Sequence, residues 1–395
     1  MKINKTITAL GLALGIASVA EAQQVVYITG STAFRAQVYN GLKDMGLTVQ
    51  AGATSGNNNF NFVGTVNNTT IGTITNGSAG QSVQIICAFT GSTEGLNSLI
   101  NDISPVYTNI SGSAYTYLNG ADIAFCDVQE ASTVYAGDSV NELISVDGAA
   151  SSFGAGVAVV PFTWAASADA GGKIGNVTPY IVNDIFVNGT EALSFFDGVA
   201  TDAGVSVYLT GRTNDSGTRI TAQQDVGFDP GQPVLQYTIN GTLGAPPASG
   251  TWASVGNNGY SSGGNVAKAL SVTGAGDAIG YVALSDAASL SHGALPINYQ
   301  GNSPFIGSSW TANSTAWNLV GIENGSYTFW SYEHLYESTK VSGTSFINKN
   351  FGPDLINALE YEIANPQAGS VQSADLIKNL NVHRNSDGTD VLAGN

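Results

Sequence analysis

Four short apolar runs, each followed by a polar loop or an acidic residue, recur along the chain. The runs span residues 24–28, 83–89, 121–126 and 205–209, and their lengths suit strands. Apolar residues at helical spacing follow the first two, at Val38, Leu42 and Met45 and then at Leu96, Leu99, Ile100 and Ile103. Strands that alternate with helices predict the α/β class, with a parallel or mixed sheet covered by helices.

The polar loops behind these runs are rich in Gly, Ser and Thr. They comprise residues 29–34, 90–95 and 210–218, while Asp127 directly follows the third run. In such sheets, ligands bind beyond the carboxyl ends of the strands, where helix N-termini also present free N–H groups. Backbone donors and hydroxyls without bulk at that place predict a site for a small oxyanion.

Two stretches rich in Asn and Gly interrupt this alternation, at residues 51–81 and 225–265. Asn and Gly favour turns, and neither stretch has a helical period, so we expect surface loops or added β-hairpins there. Near the end of the chain, residues 346–365 have the period of an amphipathic helix. The final residues, 384–395, are expected to fray.

The charge of the chain restricts its partners. Its 395 residues include 12 Lys and Arg against 29 Asp and Glu, which gives a formal net charge of −17. Nucleic acids and anionic membrane surfaces attract proteins through a positive field, so neither is an expected partner. Hydrophobic residues make up 43% of the chain, enough for a core, and the length predicts two to three domains.

The first 22 residues have the pattern of a cleavable secretory signal. Lys2 and Lys5 precede an apolar run over residues 7–19, and AEA at residues 20–22 forms the cleavage site. No cysteine follows that site to carry a lipid anchor. The remainder also lacks an apolar run of about 18 residues that would span a membrane. We therefore expect an exported protein, periplasmic or extracellular, without stable membrane insertion.

The cysteines and histidines give no pattern that is typical of a metal site, and they leave a disulfide open. Cys87 and Cys126 each lie in an apolar run. They could pair if their Cα atoms lie within about 7 Å, or remain two buried free thiols. His292, His334 and His383 are not at metal-ligand spacing, so neither a metal nor another cofactor is predicted.

Taken in order, the polar loops resemble those of a known family. GSTAF at residues 30–34 and GSTEG at residues 91–95 are similar to the two phosphate loops of the phosphate-binding proteins of the phosphate-specific ABC importer, a branch of the type II periplasmic binding proteins. ADIAFCD at residues 121–127 resembles that family's strand ending in a ligand-contacting aspartate. The most specific match is R-x-x-x-S-G-T at residues 212–218. Further similar segments are residues 157–164, 182–189, 278–287 and 327–336.

The resemblance implies a two-lobed fold of the type II periplasmic-binding-protein kind. Mixed sheets would be flanked by helices, and the Asn/Gly-rich stretches would be insertions. Removal of residues 1–22 would leave lobe I, from residues 23–148 plus 290–395, and lobe II, from residues 149–289. The two lobes would close on the ligand by a hinge motion.

The resemblance also implies a set of residues that bind phosphate. These are Ser31, Thr32, Phe34 through its N–H, Ser92, Asp127, Arg212, Ser216, Gly217 and Thr218. One position departs from the family, because Ala33 stands where a hydroxyl residue is common. Ser31 or Thr32 would then have to supply that contact.

Arg212 and Asp127 would determine which ligand is chosen. A guanidinium can hold two oxygens of one tetrahedral anion, although Arg212 could instead form an ordinary salt bridge. An ionised carboxylate only accepts hydrogen bonds, so Asp127 would favour a protonated anion such as HPO₄²⁻ over sulfate. Asp127 could instead cap a helix or be an ordinary acidic residue of a loop. Ser216 and Thr218 could be plain N-cap residues, and the other hydroxyl residues plain turn residues.

These observations predict a monomeric solute-binding protein that captures a tetrahedral oxyanion, above all inorganic phosphate, for uptake by an ABC importer. Another tetrahedral anion or an organic phosphate could take the place of phosphate. The alternative from another class is an exported cell-surface or matrix protein that reuses the fold with a weakened anion site. No nucleophile with a base is visible, so an enzyme is not predicted, and a secreted phosphatase is the weakest alternative.

Overall fold

A large mixed sheet is the central element of the computed structural model. The structure describes residues 23–143, 156–243, 250–304, 319–339, 346–366 and 374–394, apart from residues 68, 73, 75, 110 and 139. The predicted signal at residues 1–22 and the predicted lobe boundary at residues 148 and 149 lie outside the described residues.

The bounds of the strands and helices are as follows. The strands are β1 Gln24–Gly30, β2 Thr48–Val49, β3 Asn59–Thr65, β4 Ser82–Ala88, β5 Tyr107–Thr108, β6 Ala114–Tyr115, β7 Ile123–Cys126, β8 Val140–Leu143, β9 Ala158–Ala166, β10 Asn176–Val177, β11 Thr190–Ala192, β12 Ser206–Thr210, β13 Gln236–Gly241, β14 Gly250–Gly256, β15 Ala278–Ala283, β16 Leu295–Tyr299, β17 Trp330–Ser338, β18 Val382–His383 and β19 Leu392–Ala393. The helices are α1 Arg35–Asp44, α2 Ser92–Asn101, α3 Pro179–Asn188, α4 Ser194–Asp197, α5 Gly217–Asp225, α6 Gly263–Leu270, α7 Leu284–Ala287, α8 Leu319–Glu323 and α9 Gly352–Ala364. Short 3₁₀ turns cover Glu130–Ser132, Ala200–Gly204 and Ile377–Asn379, and a π turn covers Ile347–Phe351.

The large sheet has both parallel and antiparallel pairs. Its main path runs β11-β12-β15-β9-β17-β7-β1-β4-β3-β2, while β8 pairs with β17, β16 with β9 and β10 with β16. β1 is parallel to β4 and β7, and β12 is parallel to β15. β9 and β17 are antiparallel to each other and to their other partners. With helices packed against this sheet, the α/β class with a mixed sheet flanked by helices is confirmed.

The first two strand–loop–helix units form where the apolar pattern predicts them. Val38 and Leu42 of α1 and Met45 at its C-cap are fully buried, as their helical spacing requires. The second helix ends earlier than predicted. Asp102 adopts a left-handed conformation at its C-cap, so Ile103 leaves the helix and is 48% exposed.

The two Asn/Gly-rich stretches contain strands. β3 lies in the first and pairs with β4 over its whole length, because Phe60 and Phe62 alternate with polar residues and are buried. This stretch therefore widens the central sheet. In the second stretch β13 and β14 form a separate antiparallel pair, as expected of a β-hairpin.

The C-terminal tail is ordered, so the prediction of fraying over residues 384–395 was wrong for its described part. Arg384 is 2% exposed, and its Nη2 lies 2.9 Å from Oδ1 of Asp225. β19 of this segment pairs with β18, which directly precedes the segment. The buried ion pair joins residues 159 positions apart, a contact that the local composition could not reveal.

Cys87 and Cys126 are both buried free thiols, and burial raises the pKa of each. The described residues contain no helix long and apolar enough to cross a membrane. Within the same ranges, no group of three or more His, Cys, Asp and Glu side chains is placed to hold a metal ion.

His334 is a buried histidine held between two carboxylates. Its Nδ1 lies 2.6 Å from Oε1 of Glu142, and its Nε2 lies 3.0 Å from Oδ2 of Asp387. Burial alone would lower the pKa of His334, but Asp387 and Glu142 outweigh it and raise the pKa to about 10. The imidazolium with both nitrogens donating is therefore the stable form at neutral pH.

We expect the His334 interaction to stabilise the fold in a pH-dependent way. Because the folded pKa is raised, the contribution is complete below about pH 6.5, the unfolded value, and is lost as pH rises through about 10. Wild type should lose unfolding free energy between pH 6.5 and 10 as His334 loses its proton. His334→Gln has no such proton, so its loss over this range should be smaller by at least about 1.4 kcal/mol, the equivalent of one pKa unit.

Urea unfolding at several pH values measures this effect. His292→Asn is the matched control, because His292 is exposed and Asn tolerates its left-handed backbone, φ 57°. If the unfolding free energies of wild type and His334→Gln change with pH in parallel, His334 does not stabilise the fold in this pH-dependent way.

Candidate functional site

The carboxylate of Asp127 is the centre of the candidate site. Asp127 directly follows β7 and is 1% exposed. Its Oδ1 accepts a hydrogen bond from the Ser92 hydroxyl, and its Oδ2 accepts one from the Thr218 hydroxyl at 2.9 Å. Burial raises the pKa of Asp127, while the two hydroxyls and Arg212 act in the opposite direction. Two polar loops that are distant in sequence thus meet at one carboxylate.

Ser92 and Thr218 reach Asp127 from the first turns of two helices. Ser92 is the first residue of α2, and Thr218 is the second residue of α5. Gly217 begins α5 and has no room for a side chain, since a Cβ there would lie 1.8 Å from Oδ1 of Asp127. The N-terminal ends of both helices, which carry partial positive charge and free N–H groups, therefore lie beside the carboxylate.

Arg212 is a buried cation near this carboxylate. Its Nε donates to the Tyr260 carbonyl at 3.2 Å and its Nη2 to the Ser261 carbonyl at 3.0 Å. Among the described residues its guanidinium forms no salt bridge and its Nη1 has no hydrogen-bond partner. Burial lowers the pKa of Arg212, while Asp286 and Asp127 act in the opposite direction. The two carbonyls therefore orient the guanidinium through Nε and Nη2.

A second arginine lies in the same region and was missed by sequence reasoning. Nη2 of Arg35 is 2.9 Å from Oδ1 of Asp286, and both side chains are buried. Nη1 of Arg35 also donates to the Thr32 carbonyl. The negative charge of Asp286 also favours the charged form of Arg212, as does that of Asp127. The charges of Arg35, Asp286, Arg212 and Asp127 therefore form one network. The only sequence signal was that Arg35 directly follows the GSTAF loop.

The loop after β1 is held against β7. The Ser31 N–H donates to the Phe125 carbonyl at 2.7 Å. The Phe34 N–H, which was predicted to bind the ligand, donates here to Oγ of Ser31 at 3.3 Å. Oγ1 of Thr32 is buried and has no hydrogen-bond partner among the described residues. Thr32 is therefore the hydroxyl of this loop with an unused donor.

The structure brings most of the predicted ligand residues together, with different roles. Ser92, Asp127, Gly217 and Thr218 are in direct contact, and Arg212 acts on Asp127 through its charge. Ser216 is the N-cap of α5, because its Oγ accepts a hydrogen bond from the N–H of Arg219 at 3.4 Å. Its hydroxyl therefore caps the helix and does not bond to the Asp127 carboxylate.

A cavity of about 480 Å³ lies beside α5 but is not lined by any of the predicted ligand residues. Asn214, Asp215, Arg219 and Gln223 are among the residues that line it. Arg219 is already occupied there, since its Nη1 donates to the Asn257 carbonyl at 2.7 Å. The buried cluster at Asp127 is thus separate from this cavity.

Comparison with known proteins gives distant structural similarity. No family model matches the chain, and no curated protein matches it. A solved structure from Clostridium perfringens, described as a phosphate ABC transporter substrate-binding protein with bound phosphate, is 14% identical, covers 90% of this chain and 100% of its own, and has a TM-score of 0.45. An ABC-type phosphate transport receptor from Vibrio cholerae is 12% identical, with coverages of 85% and 93% and a TM-score of 0.41. A possible phosphate binding protein from Planctomyces limnophilus is 11% identical, with coverages of 87% and 88% and a TM-score of 0.38.

Proposed function

We propose that this chain is an exported solute-binding protein that captures a tetrahedral oxyanion, inorganic phosphate, for uptake by an ABC importer. The ligand would bind at Asp127, with Arg212, Thr32 and the first residues of α2 and α5 around it. The proposed role is binding alone and includes no chemical step. Export depends on the predicted signal at residues 1–22.

The observation that carries this proposal is the buried Asp127 carboxylate with hydroxyl donors on both oxygens and an arginine beside it. A carboxylate at an anion site repels the ligand unless the ligand brings a proton. HPO₄²⁻ and H₂PO₄⁻ can donate to Asp127, whereas sulfate cannot. Burial raises the pKa of Asp127, which makes its carboxylate a better proton acceptor. The site would therefore choose its anion by protonation state.

The order of strands in the sheet supports the lobe assignment that the resemblance implies. β7, β1, β4 and β3 come from the proposed lobe I, and β11, β12, β15 and β9 come from the proposed lobe II. β9 and β17 pair between the two groups and would carry the hinge. One strand departs from the proposed boundary, because β16 lies within residues 290–395 and yet pairs with β9.

Isothermal titration calorimetry tests the proposed function directly. The mature protein, freed of bound anion by mild unfolding, dialysis and refolding, is titrated with phosphate and then with sulfate near pH 7. We expect saturable binding of one phosphate per chain and no heat with sulfate. A folded, anion-free sample that binds neither anion would contradict the proposal and favour a cell-surface role with a weakened site.

A further inference from the structure

Glu333 is a buried carboxyl group that the proposed site does not yet use. It lies on β17, and its side chain is fully buried. Neither of its side-chain oxygens has a hydrogen-bond partner of ordinary geometry among the described residues, and it forms no salt bridge with them. A buried carboxyl group without a partner is costly and calls for a functional explanation.

The register of β17 places Glu333 beside the proposed anion site. The next residue, His334, pairs with Cys126 of β7, which is followed by Asp127. On the other side, Glu333 pairs with Ala158 of β9. The groups that act on the Glu333 carboxyl are Ser31, Asp127 and Asp387, and Glu333 in turn acts on the Cys126 thiol. The two charged groups that act on it are acidic, and each has a cation of its own, since Asp387 is paired with the His334 imidazolium and Arg212 acts on Asp127.

An ionised Glu333 would be unfavourable in these surroundings. Burial raises its pKa well above the ordinary value, and Asp127 and Asp387 act in the same direction, against the Ser31 hydroxyl. No cation acts directly on the Glu333 carboxyl, so its ionisation would add a buried negative charge beside Asp127 and Asp387 at a high cost in free energy. A protonated Glu333 has an O–H to donate, so it can bond to a neighbouring oxygen atom.

The Ser31 hydroxyl acts on the Glu333 carboxyl and belongs to the loop that is proposed to bind the anion. Its oxygen accepts the Phe34 N–H, and its single hydrogen can be donated to one partner. If Glu333 is protonated, it donates to Ser31 and leaves the Ser31 hydrogen for the anion. If Glu333 is ionised, it takes that hydrogen and adds a negative charge near the ligand.

We propose that Glu333 is a positioning residue of the anion site, which holds Ser31 as a donor while it is a neutral acid and weakens anion binding when it ionises. This inference rests on the proposed function. It makes phosphate affinity depend on pH through a protein group, in addition to the protonation of phosphate itself. By linkage, anion binding then favours the protonated form of Glu333.

The test compares the phosphate Kd of wild type and Glu333→Gln by calorimetry from pH 6 to 9.5. Glutamine keeps the shape and the donor of the protonated acid but does not titrate. Dividing the two Kd values removes the protonation of phosphate, which is common to both. We expect the ratio of wild type to variant to rise by about tenfold across this range, the equivalent of one pKa unit of coupling.

Glu337→Gln is the matched control. Glu337 lies on the same strand and has a buried carboxyl whose pKa is raised to about 7 by burial, with Asn141 acting against it. It titrates within the range tested, although none of the proposed ligand residues acts on it. We expect its Kd ratio to stay flat. Ser31→Ala gives a second test, since removal of the linking hydroxyl should also flatten the pH profile relative to wild type.

Two results would overturn the inference and separate it from the proposed function. If wild type binds phosphate but the ratio for Glu333→Gln is constant from pH 6 to 9.5, the role of Glu333 is wrong and the proposed function stands. If wild type binds no phosphate at any pH, both the role of Glu333 and the proposed function are wrong. Infrared difference spectra of the ligand-free proteins add a readout that needs no anion, because the carbonyl band of a protonated carboxyl should disappear in Glu333→Gln.

Discussion

Arg212→Ala should raise the Kd for phosphate by about 30- to 1000-fold, or about 2–4 kcal/mol, the scale for removing one partner of a buried charge pair. The Tyr260 and Ser261 carbonyls orient the guanidinium, and in the proposed site its Nη1 would donate to the anion. Alanine removes both the charge and the planar pair of donors. Calorimetry with phosphate at pH 7 measures the loss.

Lysine variants separate the loss of the donor geometry from a loss of fold. Arg212→Lys keeps the charge but not the two-pronged donor, so its Kd should fall between those of wild type and Arg212→Ala. Arg219→Lys is the matched control, because Arg219 is equally buried but its guanidinium donates to Asn257 and to the Arg212 carbonyl. Folding is checked by Tm. An Arg212→Ala protein that folds and binds phosphate as wild type does would remove Arg212 from the site.

Asp127→Asn should change which anion the site prefers. The amide can donate to sulfate where the carboxylate can only accept, so sulfate binding should appear and the preference for phosphate should fall by about 10- to 100-fold. Asn has nearly the same shape as Asp, so the substitution adds no bulk beside Gly217. The space there is too small even for a Cβ atom on residue 217. Calorimetric titration with both anions at one pH gives the ratio.

Asp122→Asn is the control for this substitution. Asp122 immediately precedes β7 and is also buried, with its carboxylate accepting from the Tyr27 N–H at 2.9 Å and the Tyr117 hydroxyl at 3.1 Å. Burial raises its pKa to about 6. Its contacts lie at the opposite end of the strand from Asp127, so the preference should not change. If Asp127→Asn prefers phosphate over sulfate as strongly as wild type does, Asp127 does not distinguish anions by their protonation.

The errors of sequence interpretation have a common cause. The tail was expected to fray because it is the end of the chain, yet Arg384 is buried against Asp225. Around Phe60 the expected surface loop or added β-hairpin is a strand that pairs antiparallel with β2 and β4, and it belongs to the central sheet rather than to a separate hairpin. In both places a distant segment covers the residues and stabilises them, and no local pattern records the approach of that segment.

The site shows the same division between local and distant information. The sequence by itself determined the α/β class and the positions of β1, β4, β7 and β12, because the period of apolar residues is a local property. It also placed Ser92, Asp127 and Thr218 at the ends of strands or the starts of helices. Only the tertiary structure decided that Asp127 meets Thr218 and that Arg35 pairs with Asp286, since sheet order brings together residues 91 and 251 positions apart. The burial of Glu333 likewise follows from the register of β17 against β7 and β9, which its own sequence does not encode locally.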